Sequence, residues 1–156
     1  METAVVFASR HGTTAEVAGL LATELGPGSV TCDLADGPPD LSRYDAIVFG
    51  TPVYAGKPRP ELGRFLGQAN LEGKRIGLFV CGMEVDPTKR AAEMSAAFPP
   101  DLAARATTIA FLGGRFRFDL MNAAERFIIG RIAKTKVNQD AIDRDAIVRF
   151  AQDFRQ

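Results

Sequence analysis

The chain has 156 residues, 46% of them hydrophobic and 24% charged, which suits one globular domain with a full core. Its 19 basic and 19 acidic side chains cancel, so no charge excess is available for bulk binding to nucleic acid. A lone histidine, His11, and two cysteines without metal-ligand spacing, Cys32 and Cys81, argue against a zinc centre or a histidine-based triad.

The opening residues read as a core strand rather than a secretion signal, and no run is long enough to span a bilayer. A cytoplasmic protein with two free thiols is the expectation. Ala4-Val5-Val6-Phe7-Ala8 is a short apolar run, the mark of a strand buried on both faces. From Thr13 the period changes, and Val17, Leu20, Leu21 and Leu25 recur at helical spacing until Gly26-Pro27-Gly28. Val30–Leu34 reads as a second strand and Ala46–Gly50 as a third, another buried one. After the loop 51–58, Leu62, Phe65, Leu66 and Ala69 mark a helix. Arg75–Val80 is a fourth strand, followed by a loop over 81–87 and a short helix over Thr88–Ala97 that ends before Pro99-Pro100. Ala106–Leu112 is a fifth strand, closed by Gly113-Gly114. Two helices near 119–134 and 140–154 finish the chain, the last with Ile142, Ala146, Phe150 and Phe154 on its buried side.

Strands that alternate with helices fold into a parallel sheet with helices on both faces. Five of them predict an α/β doubly wound sheet of order 2-1-3-4-5 in a single domain, 1–156, with an extra helix after the fifth strand. A ligand would bind at the carboxyl ends of strands 1, 3 and 4. The three distinctive loops fall there. Ser9-Arg10-His11-Gly12-Thr13-Thr14 offers hydroxyls and backbone N–H groups at a helix start, a cradle for phosphate. Thr13-Thr14-Ala15-Glu16 also reads as a capping box, so helix cap and phosphate cradle both stand. The loop lacks the Gly-Lys-Ser/Thr of a nucleotide P-loop and the three glycines of a dinucleotide turn, which favours a small phosphomonoester. Tyr54, in Thr51–Pro58, can stack on a flat ring. Gly82 lets backbone approach a ligand closely.

At this point the chain resembles the flavodoxin superfamily. The Ser9–Thr14 loop is similar to the family's phosphate loop, Phe49-Gly50-Thr51-Pro52-Val53-Tyr54-Ala55-Gly56 to its second flavin loop, and Phe79-Val80-Cys81-Gly82 to its third. The resemblance implies a flavodoxin-like fold with non-covalent FMN. Ser9, Gly12, Thr13 and Thr14 would hold the phosphate. Pro52, Val53, Tyr54, Ala55, Gly56, Cys81, Gly82, Met83 and Glu84 would flank the isoalloxazine. Arg10 would pair with the phosphate or face solvent, and His11 would sit behind the bound group or face solvent. No catalytic side chain is named, because a flavin performs the redox chemistry itself.

The C-terminal third is similar to flavodoxin-like, quinone-dependent protoporphyrinogen oxidases through Leu112-Gly113-Gly114-Arg115-Phe116-Arg117-Phe118, then Glu125-Arg126-Phe127-Ile128-Ile129 and Lys134. The chain departs from those enzymes in a shorter stretch between its fourth and fifth strands and in Thr135–Gln139. The resemblance implies a porphyrinogen substrate and a quinone or other redox partner as electron acceptor. Two alternatives stand beside it: a flavodoxin-type carrier without its own substrate, and a non-catalytic flavin-binding or interaction domain. Electron-carrier flavodoxins are generally acidic, and this chain is neutral. Residues 115–136 combine a basic cluster with an apolar stripe of Leu120, Ala124, Phe127, Ile128 and Ile132. Such a stripe either covers the core or meets a partner or a membrane surface peripherally.

Overall fold

Apolar runs bounded by turn formers become the strands of one sheet. The computed structural model describes residues 1–54, 57–116, 118–127 and 139–156. Its main sheet contains β1 (Thr3–Phe7), β2 (Ser29–Asp33), β3 (Ala46–Tyr54), a two-residue β4 (Lys57–Pro58), β5 (Arg75–Cys81) and β6 (Thr108–Phe111). The order is β2-β1-β3-β5-β6, parallel throughout, with β4 folded back antiparallel on β3. With the hairpin strand β4 set aside, this is the expected 2-1-3-4-5 arrangement.

The helices are α1 (Thr13–Leu25), α2 (Pro60–Leu66), α3 (Pro87–Ala97), α4 (Pro100–Arg105) and α5 (Arg144–Arg155). Side chains alternate across a strand, and both faces are covered, so the central strands β1, β3 and β5 are apolar at most positions, while the edge strand β2 is polar and partly exposed. Val5, Phe7, Val48 and Phe79 face one layer, where α1 brings Val17 and Leu21 and α5 brings Ile147, Phe150 and Phe154. Val6, Ile47, Phe49, Leu78 and Val80 face the other, against Leu62 of α2, Ala97 of α3 and Leu102 of α4. Ala146, Phe150 and Phe154 are buried, as the helical spacing predicts, and Ile142 packs at the edge of the same layer.

Two strand glycines make room for aromatic rings. Gly50 and Phe79 are register partners on β3 and β5. A methyl group on Gly50 would stand 2.0 Å from the Phe79 ring, and one on Gly77 would stand 2.9 Å from the rings of Phe150 and Phe154.

Several expectations are corrected. The second loop is a hairpin, because β3 runs on to Tyr54 and pairs back with β4 through Val53–Pro58 and Tyr54–Lys57. Pro52 is tolerated inside that strand because its side of the backbone is the one Gly50 presents to β1, whose strand has ended by then. Buried Thr51 closes the hairpin by accepting from the Arg59 N–H at 3.1 Å. Pro99-Pro100 does more than end α3, because a further helix, α4, follows it. Proline suits the first turn of a helix as well as its stop, and Pro100 opens α4. The final helix starts at Arg144 rather than near 140, because Gln139–Asp140 (β8) pairs antiparallel with Arg115–Phe116 (β7).

Replacing Gly50 by alanine should destabilise the domain by about 1–3 kcal/mol through overpacking, because the Phe79 ring is buried and has nowhere to move. Thermal unfolding should fall accordingly, by roughly 2–4 °C per kcal/mol. Adding Phe79→Leu should recover part of the loss, and no recovery would show that the ring is not the obstacle.

Candidate functional site

The chain leaves β1 at Phe7 and must start α1 at Thr13, and it turns through Gly12 with φ of 84°, a left-handed conformation that glycine adopts freely. Gly12 is the residue that precedes the helix, and no side chain caps the helix start. The capping box expected at Thr13–Glu16 is therefore not formed. Ser9 works inside the turn instead, accepting from the Gly12 N–H through Oγ at 3.2 Å. Thr13 and Thr14 are already helical and buried, and neither hydroxyl has an oxygen or nitrogen partner. Thr14 does face the Cys81 thiol, a weak partner at best. Burial of a hydroxyl without a partner is costly, and a helix start with open N–H groups carries positive potential. Hydroxyls and N–H groups gathered at one point suit a phosphate ester, so the donor set fits the group expected from the sequence.

The second and third loops meet this one at the carboxyl rim. Pro52 is the register partner of Cys81. Pro52 is buried and Val53 half-buried. Ala55 and Gly56 lie outside the described residues, as does the side chain of Tyr54, so the stacking expected of Tyr54 is an expectation there. Cys81 packs its side chain into the layer under α1, and burial pushes its thiol up to about 12. Only its backbone is placed to serve a ligand. Gly82, Met83 and Glu84 are half-buried. The Gly82 N–H donates to Gly113 at 2.9 Å. Glu84 shapes its own loop by accepting from the Val85 and Asp86 N–H groups at 3.1 and 3.0 Å, while its carbonyl takes the Arg90 guanidinium.

Glu93 was not expected at this rim. Its Oε2 is buried without a partner and lies 3.5 Å from where a side chain on Gly82 would begin. Burial first, and then the nearby Glu84 charge, hold its carboxyl above the usual range. It belongs to no motif, and only the packing of α3 brings it to the third loop.

Two described stretches beyond β6 reach α1 and the first loop. Residues 112–116 and 139–143 run side by side, with Ala141 N–H donating to Gly114 at 2.8 Å and Asp143 N–H to Leu112 at 3.0 Å. Glycine is required at 113, because φ is 77° and a side chain would stand 2.0 Å from the Ala141 carbonyl. Arg115 then reaches Glu16 of α1 and, at 2.8 Å, Asp140. These hydrogen bonds raise Arg115 and lower Asp140 from their usual values. Further along, residues 123–127 are helical, and their start carries the capping box that α1 lacks. Glu125 N–H donates to Asn122 Oδ1 at 2.9 Å, and Glu125 Oε1 accepts from the Asn122 N–H at 3.4 Å.

The other oxygen of Glu125 faces the first loop. Oε2 accepts from Arg10 Nε at 2.5 Å and meets His11 Nε2 at 2.8 Å. Arg10 first, then His11 and the Asn122 amide, hold the Glu125 carboxyl down at about 2. The sequence offers Arg10 the phosphate or solvent; in the structure both Arg10 and His11 reach Glu125, more than a hundred positions away. On the apolar stripe, Met121 is buried, but Leu120 and Phe127 are 50% and 62% exposed and Ala124 is exposed. The core-facing expectation fails at these positions. Residues 128–138, which hold the rest of the stripe and Arg131, Lys134 and Lys136 of the basic cluster, lie outside the described residues, as does Arg117.

A protein family described as "Flavodoxin domain" matches residues 4–143. The chain belongs to the flavodoxin family. Solved structures agree on the fold. A short-chain flavodoxin associated with a non-canonical PDU bacterial microcompartment is 18% identical, with a TM-score of 0.61 over 99% of this chain and 97% of that one. Oxidised flavodoxin 2 from Bacillus cereus is 16% identical, with a TM-score of 0.58 over 99% and 98%. A Fusobacterium nucleatum flavodoxin bound to flavin mononucleotide is 15% identical, with a TM-score of 0.52 over 70% and 69%. No curated protein sequence matches the chain. The family places its fold, but the Glu125 contacts are read from this chain alone. Among the described residues, no helix is long and apolar enough to cross a membrane.

The depressed value of Glu125 makes an acid-limb prediction. The folded carboxyl titrates at about 2 against 4.5 ordinarily, so its stabilising contribution is complete above the ordinary value and lost as pH falls through the folded one. The stability gap between wild type and Glu125→Gln in urea unfolding should hold steady down to about pH 5 and close toward about pH 2. A gap that stays open at the acid end would contradict the ion pair.

Proposed function

We propose that this domain binds FMN non-covalently at the carboxyl rim and serves as an FMN-dependent oxidoreductase. The observation that carries this reading is the uncapped start of α1, where Thr13 and Thr14 bury hydroxyls without partners. Two further supports are the family itself and the flavodoxin relative that is bound to the same nucleotide. Thr13, Thr14 and the first-turn N–H groups would take the phosphate. Ser9 would keep the turn in shape, and Gly12 would keep it open. The backbone at Gly82 and the β3–β4 hairpin, with Pro52 and Val53, would border the flat ring. When bound, the flavin supplies hydride and single-electron transfer. The chain's own residues bind it, orient it and shield it from water.

Within that reading, the likeness of residues 112–118 and 125–134 to quinone-dependent protoporphyrinogen oxidases supports substrate oxidation, with a porphyrinogen as donor and a quinone as acceptor. The basic 115–136 face would then lie peripherally at a membrane. Family membership supports a flavodoxin-type carrier equally well. Anaerobic mixing with a reduced porphyrinogen and a soluble quinone separates the two. Turnover supports the oxidase, and a flavin that exchanges electrons with a reductase but leaves the porphyrinogen untouched supports the carrier.

Thr13→Val tests the site itself. The hydroxyl has no partner to lose, so urea unfolding of the flavin-free protein should show stability unchanged or slightly raised. FMN affinity, read by quenching of flavin fluorescence, should weaken about tenfold or more, and riboflavin affinity should not change. Equal affinities of wild type and variant for FMN would overturn the phosphate assignment.

A further inference from the structure

The two oxygens of Glu125 have different duties. Oε1 closes the capping box that starts the helical residues 123–127, while Oε2 gathers Arg10 and His11 of the first loop. One carboxylate thus ties a surface helix to the loop assigned above to phosphate. Arg10 and His11 converge on a single oxygen, as two donors would on an oxygen of a phosphate ester, although which ring nitrogen of His11 carries a proton depends on its tautomer. The tie spans more than a hundred residues, so its release would change how a whole segment sits. That segment carries Leu120 and Phe127, both largely exposed. Arg115 holds its near end separately, through Glu16 and Asp140.

We propose that Glu125 is an internal anion that stands in for the ligand's phosphate, so that a phosphate arriving at Arg10 and His11 displaces it and frees the turn at 122–127. The proposal rests on the FMN reading above. Two anions cannot share these donors at close range without repelling each other, and the ligand's phosphate carries the greater charge. Linkage makes the effect reciprocal: the factor by which FMN loosens the Glu125 contact is the factor by which removing Glu125 tightens FMN. Cofactor occupancy at the rim is thereby reported to the surface segment next to it.

The test combines backbone hydrogen exchange with flavin titration, on wild type and Glu125→Gln. FMN should speed exchange of the 122–127 amides in wild type, and riboflavin, which lacks the phosphate, should not. Glu125→Gln should already exchange fast there without ligand, and should bind FMN about tenfold more tightly with riboflavin binding unchanged. Wild type that binds FMN with exchange at 122–127 unchanged or slowed overturns the coupling alone, as does a variant that binds FMN no more tightly. Wild type that binds no FMN overturns the cofactor reading and the coupling together. Should the variant fail to fold, the wild-type exchange measurement decides.

Discussion

A helix whose first turn has no cap is under an electrostatic constraint, and here the constraint falls at the centre of the rim. The strand before α1 is buried on both faces, so the chain can leave the sheet only at its carboxyl edge. Gly12 turns it there without offering a side chain to the open N–H groups. Thr13 and Thr14 then bring hydroxyls into the same place and leave them unsatisfied. Most natural helices satisfy these groups locally. Withholding that satisfaction in the flavin-free protein leaves free energy to be recovered by an anionic ligand. The neighbouring strands contribute by geometry: parallel order brings the ends of β3 and β5 alongside, and Gly50 leaves its place on β3 to the Phe79 ring.

Residues 112–116 and 139–143 are zipped together outside the main sheet and tied to α1 through Arg115, and residues 122–127 are tied to the first loop through Glu125. Exposed pairs of this kind add little stability singly. Their use is positional, because each fixes a loop relative to an element distant in sequence. Glu125 is the most deeply engaged of them, since one side chain serves a capping box and two loop residues at once.

Much of this was legible in the residues. The continuous apolar runs at 4–8, 46–50 and 75–80 fix a sheet buried on both faces, and their alternation with helical spacing fixes its order. The place of the first loop, between a buried strand and a helix, was legible from the change of period at Thr13. What escaped has a common physical origin. The ribbon of β7 and β8, the Arg115 pairs and the reach of Glu125 all depend on contacts between positions far apart in the chain, and no periodicity encodes them. The spacing of a capping box occurs at Thr13–Glu16, where none forms, and at Asn122–Glu125, where one does. Local spacing permits such a motif; the path of the backbone decides whether it forms. Glu93 escaped for the same reason, since the packing of α3 alone carries it to the rim.

Everything proposed for this rim requires that it grip a flavin by its phosphate. Crystals of the protein grown with FMN test it most directly. The phosphate should lie within hydrogen-bond distance of the Thr13 and Thr14 hydroxyls, with the ring between the β3–β4 hairpin and Gly82. A nucleotide bound elsewhere, or one whose phosphate hangs in solvent while the two hydroxyls keep their burial, would contradict it.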